Sequence, residues 1–304
     1  MNSIGLITKR SDPTAVRATK ELTEWLRKQG CRVTVTPEAA EDAEISEEMA
    51  TRRSSENLAE GQDMVIVLGG DGTFIGAARD VMRWRVPVLG VNMGRLGFLT
   101  EIPYEEMYTY LTGFFSGRYE VEERMMLTAY VKRKNGEVLS HHALNDVVAH
   151  KGHLARMMEF QVSIDGQHVY TSRADGLIVS TPTGSTGYSL SAGGPILHPR
   201  LDTFLLMPIC PHTLTNRPIA IPGDSQVEFR LTQEEPDRLL TLDGQLGVPL
   251  LDGDSILIRR SDHTLRVLHS PERNYYDVLR DKLRWAERVG TPRDLLAGTG
   301  ADLR

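Results

Sequence analysis

The stretch Met64–Asp80, MVIVLGGDGTFIGAARD, sets an unbroken apolar run against Gly69-Gly70-Asp71-Gly72-Thr73 and then resumes with apolar residues at helical spacing. A run of that composition suits a strand covered on both faces within a parallel sheet. The continuation TFIGAARDVMRW reads as a helix. The break of glycines around an acid is therefore a strand-to-helix turn at the carboxyl end of a strand, where open α/β sheets bind ligands.

Working outward, residues 1–118 alternate strand and helix. Ile4–Thr8 is a strand; Asp12-Pro13 opens a helix, with Asp as cap and Pro at the first helical position, and Gly30 stops it. CRVTV is the next strand, PVLGVNMG another, and a helix runs from about Pro103 to Phe115. Pro37–Gly61 is acidic and polar and is assigned to no single element. The alternation predicts an α/β N-terminal domain with a parallel, doubly wound sheet.

From about Tyr119 to Leu268 the pattern changes to short alternating stretches separated by turn signals. Asn135-Gly136, Asp165-Gly166 and Asp243-Gly244 each fall between such stretches, which is a strong hairpin signal. The span 119–271 is expected to be a β-rich second domain. The tail NYYDVLRDKLRWAERV returns to helical spacing.

Composition sets limits. The 304-residue chain is 40% hydrophobic and 25% charged, the balance of a globular protein with room for two cores. Its net charge of −6 and lack of a basic block argue against a nucleic-acid binder. Cys31 and Cys210 share no CxxC spacing, so a disulfide framework and a structural zinc site are not expected, and a cytoplasmic location is. MNSIGLITKR reads as a strand rather than a signal peptide, and no apolar run reaches the roughly 18 residues of a membrane span.

Three stretches carry candidate chemistry. In the Gly69–Thr73 turn, glycines let a ligand approach amides that a Cβ would shield, and the helix start favours phosphate. The turn is not a Walker A loop, for no Lys-Ser/Thr pair follows, and Gly76 falls one residue too late for the dinucleotide fingerprint. Asp71 among phosphate-cradling glycines is expected to meet a hydroxyl proton or a metal riding on the phosphate; a structural turn capped by Asp71 is the competing reading. Asn145-Asp146, in ALNDVVAHKG, places an amide and a carboxylate at the start of a strand, or else is a plain turn. The stretch Arg173–Pro195, RADGLIVSTPTGSTGYSLSAGGP, is rich in hydroxyls and glycines, suited to a polar nucleotide pocket or to a tight connection. Gly187-Tyr188-Ser189-Leu190-Ser191 misses the nucleophile elbow at its last position and lacks a preceding strand, which excludes a serine hydrolase. The histidines, including His150 and His153, form no helical ligand pair, and no metal is assigned to protein side chains.

Together GGDGTF, NMGRLGFLTE, LNDVV and DGLIVSTPTGSTGYSLSAGGPIL make the sequence resemble the NAD kinase family (bacterial ATP-NAD kinases) over nearly the whole chain. GGDGT alone is shared with diacylglycerol-type lipid kinases and with phosphofructokinases, so a lipid or sugar kinase is one alternative; a non-catalytic NAD(P)-binding sensor is another. The resemblance implies phosphorylation of the adenosine ribose 2′-hydroxyl of NAD, with Mg2+ carried on ATP, to give NADP. It implies two domains, with the C-terminal helix within 272–304 packing back on the first. It also implies a homodimer or homotetramer, with NAD and ATP as the small-molecule partners and no membrane or nucleic acid. Asp71 takes the catalytic role. Gly69, Gly70, Gly72 and Thr73 lie against phosphate, and Gly72 also contacts NAD. Asn145 and Asp146 bind adenosine and ribose hydroxyls. Arg156, Arg173 and Asp175 fall at substrate-contacting positions, some supplied across a subunit interface. Thr186, Gly187, Tyr188, Ser189, Leu190 and Ser191 line the dinucleotide pocket, and Gln245 is a further contact. The chain departs from the family pattern at Gly187, where Ala is frequent, at Asp146, a shorter acid, and at Ala174, where Ser or Gly is often seen.

Overall fold

The computed structural model describes residues 2–152, 157–213, 215–233 and 237–285. The chain begins with β1 (Ser3–Thr8), α1 (Pro13–Lys28), β2 (Arg32–Val35), α2 (Pro37–Asp42), β3 (Thr51–Arg52) and α3 (Ser55–Leu58). It continues through β4 (Met64–Gly69), α4 (Asp71–Val81), β5 (Val88–Asn92), β6 (Ile102–Pro103) and α5 (Met107–Phe115). Strands β3, β2, β1, β4 and β5 lie side by side in that order and are parallel. Strand order reverses between β1 and β4, which opens a crevice at their carboxyl ends, and the glycine turn leaves β4 there.

Local signals explain much of this domain. Asp12 caps α1 by accepting the Thr14 N–H at 3.0 Å, Pro13 takes the first helical position, and Gly30 follows the helix at φ +80°. Every residue of β4 is buried. Met64, Ile66 and Leu68 pack with Leu22 and Leu26 of α1 on one face, while Val65 and Val67 meet Phe74, Ala78 and Val81 of α4 on the other. The unassigned stretch 37–61 resolves into α2, β3 and α3. These have six, two and four residues, each too short to show a hydrophobic period.

After β7 (Glu120–Arg124) the chain builds a second domain. Its first half is β8 (Leu127–Lys132), β9 (Val138–Ala143), β10 (Asp146–Lys151), β11 (Met158–Ile164), β12 (Gln167–Ala174), β13 (Gly176–Ser180) and the short α6 (Tyr188–Ser191). There follow β14 (Thr203–Ile209), β15 (Ile219–Pro222), β16 (Val227–Leu231), β17 (Arg238–Leu242), β18 (Leu246–Leu250) and β19 (Ser255–Arg260). They form two six-stranded antiparallel sheets, ordered β15-β14-β13-β10-β17-β18 and β12-β11-β16-β19-β8-β9. The inner residues of both sheets share one core: Val147, Val179, Phe204 and Leu240 from the first, Leu127, Phe160, Phe229 and Ile256 from the second. All three glycine hairpins form where the turn residues place them, and Asp165-Gly166 has the paired positive φ of a tight hairpin turn, 51° and 76°.

The chain then returns through β20 (Leu265–His269) to α7 (Tyr275–Leu283). Sheet membership departs here from a simple division at residues 118 and 271. Strands β7 and β20 pair antiparallel with each other, and β20 joins the first sheet beside β5 with Val267 opposite Val88. The physical reason is burial: Leu265, Val267 and Leu268 complete the two cores that flank that sheet. Helix α7 is opened by a reciprocal cap between Asn274 and Asp277 and buries Val278 and Leu279. It lies near the loop after β5: the Arg273 guanidinium donates to the Glu101 carbonyl at 2.6 Å, and Lys282 sits 5.6 Å from the Phe98 ring. Residues 286–304 of the expected C-terminal helix lie outside the described residues.

Candidate active site

Asp71 is the first helical residue of α4, and Gly70, with no side chain to offer, is its N-cap. Asp71 therefore does not cap its own helix. Its carboxylate crosses to the loop after β5, where Oδ2 accepts the Phe98 N–H at 2.8 Å. Oδ1 accepts the N–H groups of Leu99 at 3.0 Å and Thr100 at 3.1 Å, and the Thr100 hydroxyl at 3.1 Å. This loop is anchored from its other side by buried Asn92, whose amide donates to the Arg95 carbonyl at 2.8 Å and to Thr100 Oγ1 at 2.9 Å. Only glycine fits at 97, since a Cβ there would collide with Asp71 Oδ1. Gly69 ends β4 under the Thr73 side chain, while Gly70 faces open space. At its N-cap, Gly70, the start of α4 is therefore open to an approaching anion.

The second constellation is the turn between β9 and β10. Thr181 Oγ1 donates to the Leu144 carbonyl at 2.6 Å, and the Thr181 N–H donates to the Asn145 carbonyl at 2.9 Å. Gly184 packs so closely on the Asn145 backbone that any Cβ would overlap it. The STPTGST segment is therefore moulded onto the turn. From the opposite side Asp243 accepts the N–H groups of Leu144 at 3.1 Å, Asn145 at 2.7 Å and Asp146 at 3.2 Å. Both Asp146, 4% exposed, and Asp243 are buried. Burial first, and the Asp243 charge second, push the Asp146 carboxyl up to about 7. Burial also raises Asp243, but its three N–H donors and Arg79 pull it back. Both carboxyls are thus pushed upward, and the hydrogen-bond donors around Asp243 favour its ionised form.

These groups line a cavity of about 500 Å3, together with His150, Lys151, Asp175, Tyr188, Ile209, Thr241 and Gly244. That volume is typical of small-molecule sites. Asn145 Oδ1, on its wall, is buried and has no hydrogen-bond partner among the described residues. The Tyr188 ring is 49% exposed beside it. Thr186, Gly187, Ser189, Leu190 and Ser191 continue the same loop into α6, and a Cβ on Gly187 would lie 3.5 Å from Asn145 Nδ2.

The structure brings some expected residues together and separates others. Asn145, Asp146, Asp175 and Tyr188 share the cavity, with Asp175 paired to Lys151 at 2.6 Å. Gln245 lies between the domains, its amide donating to the Gly72 carbonyl at 2.7 Å, which sets the cavity's hairpin against the start of α4. Arg173 points away on β12, 58% exposed and 4.0 Å from Glu159, outside the cavity of its own chain. Arg156 lies outside the described residues. Sequence reading passed over Lys151, Asp243 and Arg79, and gave no part to the N–H groups of Phe98–Thr100. Backbone donors leave no signature in residue type, and Asp243 reads simply as a hairpin residue.

Two family models match this arrangement in chain order: the ATP-NAD kinase N-terminal domain over residues 4–119 and the ATP-NAD kinase C-terminal domain over residues 144–270. With both halves covered, the protein is a two-domain phosphotransferase. The chain belongs to the NAD kinase family. The NAD kinase of Magnetococcus marinus is 76% identical over 295 residues, covering 97% of each chain. That of Geotalea daltonii is 48% identical over 288 residues, 95% of this chain and 100% of the relative. Among solved structures, yeast NADH kinase complexed with NADH superposes with a TM-score of 0.85 at 25% identity, covering 94% of this chain and 88% of that one. An NAD kinase from Archaeoglobus fulgidus in complex with ATP gives 0.73 at 26% identity, over 92% and 99%.

Proposed function

We propose that this protein transfers the terminal phosphoryl group of ATP to the 2′-hydroxyl of the adenosine ribose of NAD, releasing NADP and ADP. The observation that carries this reading is the pairing of two sites across the domain junction. One is a glycine-capped helix start that opens with a carboxylate; the other is a cavity walled by an amide oxygen unpartnered among the described residues and a buried acid. Asn145 Oδ1 supplies an acceptor for a donor on the adenosine, Asp146 accepts from the ribose hydroxyls, and the Tyr188 ring lies against a base. Thr186–Ser191 and Asp175 complete the acceptor pocket.

Phosphoryl transfer needs mainly positioning and charge stabilisation. Gly69, Gly70, Gly72 and Thr73 would hold the donor's phosphates at the start of α4, with Mg2+ arriving on the nucleotide as part of the substrate. Among the described residues, Asp71 Oδ2 takes one hydrogen bond, from Phe98, whereas Oδ1 takes three. Oδ2 therefore has the spare lone pair for the 2′-hydroxyl proton. The loop 98–100 fixes the carboxylate so that it orients the alcohol and accepts the proton as the bond to phosphorus forms, a contribution of about 10²–10⁴ in rate.

Cytoplasmic location and assembly as a homodimer or homotetramer belong to the same proposal. Arg173, turned away from its own cavity, suits a contact with a neighbouring subunit's site. No described helix is long and apolar enough to cross a membrane. A lipid or sugar kinase is not favoured, because the family match extends over both domains. The test is a panel of acceptors (NAD, NADH, diacylglycerol, fructose 6-phosphate) with Mg-ATP. The reading expects NADP from NAD and no phosphorylation of the lipid or sugar; lipid or sugar phosphorylation without NADP would replace it.

A further inference from the structure

Asp243 and Arg79 have no place in the substrate contacts proposed above, yet they join those contacts across the two domains. Asp243 sits in the β17–β18 hairpin at φ 54°, its side chain fully buried, and gathers the three N–H groups of the Leu144–Asp146 turn. Its Oδ2 also accepts from Arg79 Nη1 at 3.0 Å. Arg79 lies on α4, the helix that begins with Asp71, and its Nη2 donates to Gln245 Oε1 at 2.7 Å. Gln245 closes the ring by donating to the Gly72 carbonyl. Helix α4 is thus tied to the acceptor hairpin at Gly72 and at Arg79, points about two helical turns apart on one face. Two ties on one face fix both the rotation and the axial position of the helix.

We propose that Arg79 and Asp243 are positioning residues for phosphoryl transfer: they set the placement of Asp71 on α4 relative to the ribose held at Asn145-Asp146. This rests on the acceptor reading given above. A surface ion pair between domains would contribute little. Here one partner is fully buried, and the same carboxylate orders the turn that carries the acceptor groups. A guanidinium is required because it reaches Asp243 and Gln245 at once through separate nitrogens; a lysine offers a single point charge. Misplacement of a reacting group by about 1 Å costs about a hundredfold in rate.

The test is kinetic, on the full chain. Arg79→Gln leaves the N–H bonds of the acceptor turn and the Gln245–Gly72 bond in place but removes the second tie on α4, at residue 79. It is expected to lower kcat by about ten- to hundredfold with the KM for NAD nearly unchanged. Asp243→Asn removes the charge that orders the turn, so kcat should fall and the KM for NAD rise. In an Asp71→Asn background, Arg79→Gln should cost no further kcat, since the group it positions has gone. A purely structural role would instead give the same loss in both backgrounds and a lowered Tm. That outcome, or a fully active Arg79→Gln, overturns the inference. Should Arg79→Gln not fold, Arg79→Lys carries the same comparison with a smaller fall expected. Failure of the wild-type chain to make NADP would strike the acceptor reading itself, and is read separately.

Discussion

Asp71 reaches from the start of α4 to the N–H of Phe98 at 2.8 Å, so the carboxylate proposed for catalysis is oriented by a loop from a different strand. The close approach depends on Gly97, where any Cβ would meet Asp71 Oδ1. Gly97→Ala is expected to displace the loop and lower kcat by about tenfold or more, with the KM values for NAD and ATP changing much less. Steady-state kinetics check this, and an alanine variant with unchanged kcat would show that the loop does not orient the acid.

Asp146 supplies a pH signature of definite sign. Its folded pKa of about 7 lies above the usual carboxylate value near 4, so the empty fold favours the protonated acid. Stability from this group is complete below about pH 4 and is lost as pH rises through about 7. Substrate affinity should run the other way, because ribose hydroxyls donate best to an ionised acceptor. The KM for NAD is expected to fall between about pH 6 and 8, and Asp146→Asn should flatten that dependence. An identical profile in Asp146→Asn would remove Asp146 from the acceptor site.

Tyr188 offers a half-exposed ring to the cavity, while Asn145 offers an acceptor with no partner among the described residues. Loss of aromatic stacking costs about 1–3 kcal/mol per base. Tyr188→Ala should therefore raise the KM for NAD by about tenfold and leave the KM for ATP unchanged. Competition by adenosine analogues lacking the 6-amino group should be weaker with wild type and indistinguishable from adenosine with Asn145→Ala. A change confined to ATP would place the donor, not the acceptor, in this cavity.

The two-domain plan was legible because its signals are local. The buried run of β4, the Asp12-Pro13 opening of α1 and the three glycine hairpins each announce themselves within a few residues. Pairing over distance was not legible. Strands β7 and β20 join the first sheet from residues far along the chain, and Val267 beside Val88 follows from packing rather than from a turn. At the site, residues that carry their chemistry in their side chains stood out, such as Asp71 and Asn145-Asp146. Asp243 did not, because its part is played toward backbone N–H groups, and Arg79 did not, because its partners are more than 160 positions away. Arg173 showed the opposite limit: a motif position that its own chain leaves outside the cavity.

The most direct measurement compares wild type with Asp71→Asn, following NADP formation from NAD and Mg-ATP and, separately, NAD binding by calorimetry. The account predicts NADP carrying its new phosphate on the 2′-oxygen. It also predicts that Asp71→Asn binds NAD with similar affinity while kcat falls at least about a hundredfold. An Asp71→Asn protein that binds NAD and turns over at the wild-type rate would contradict it.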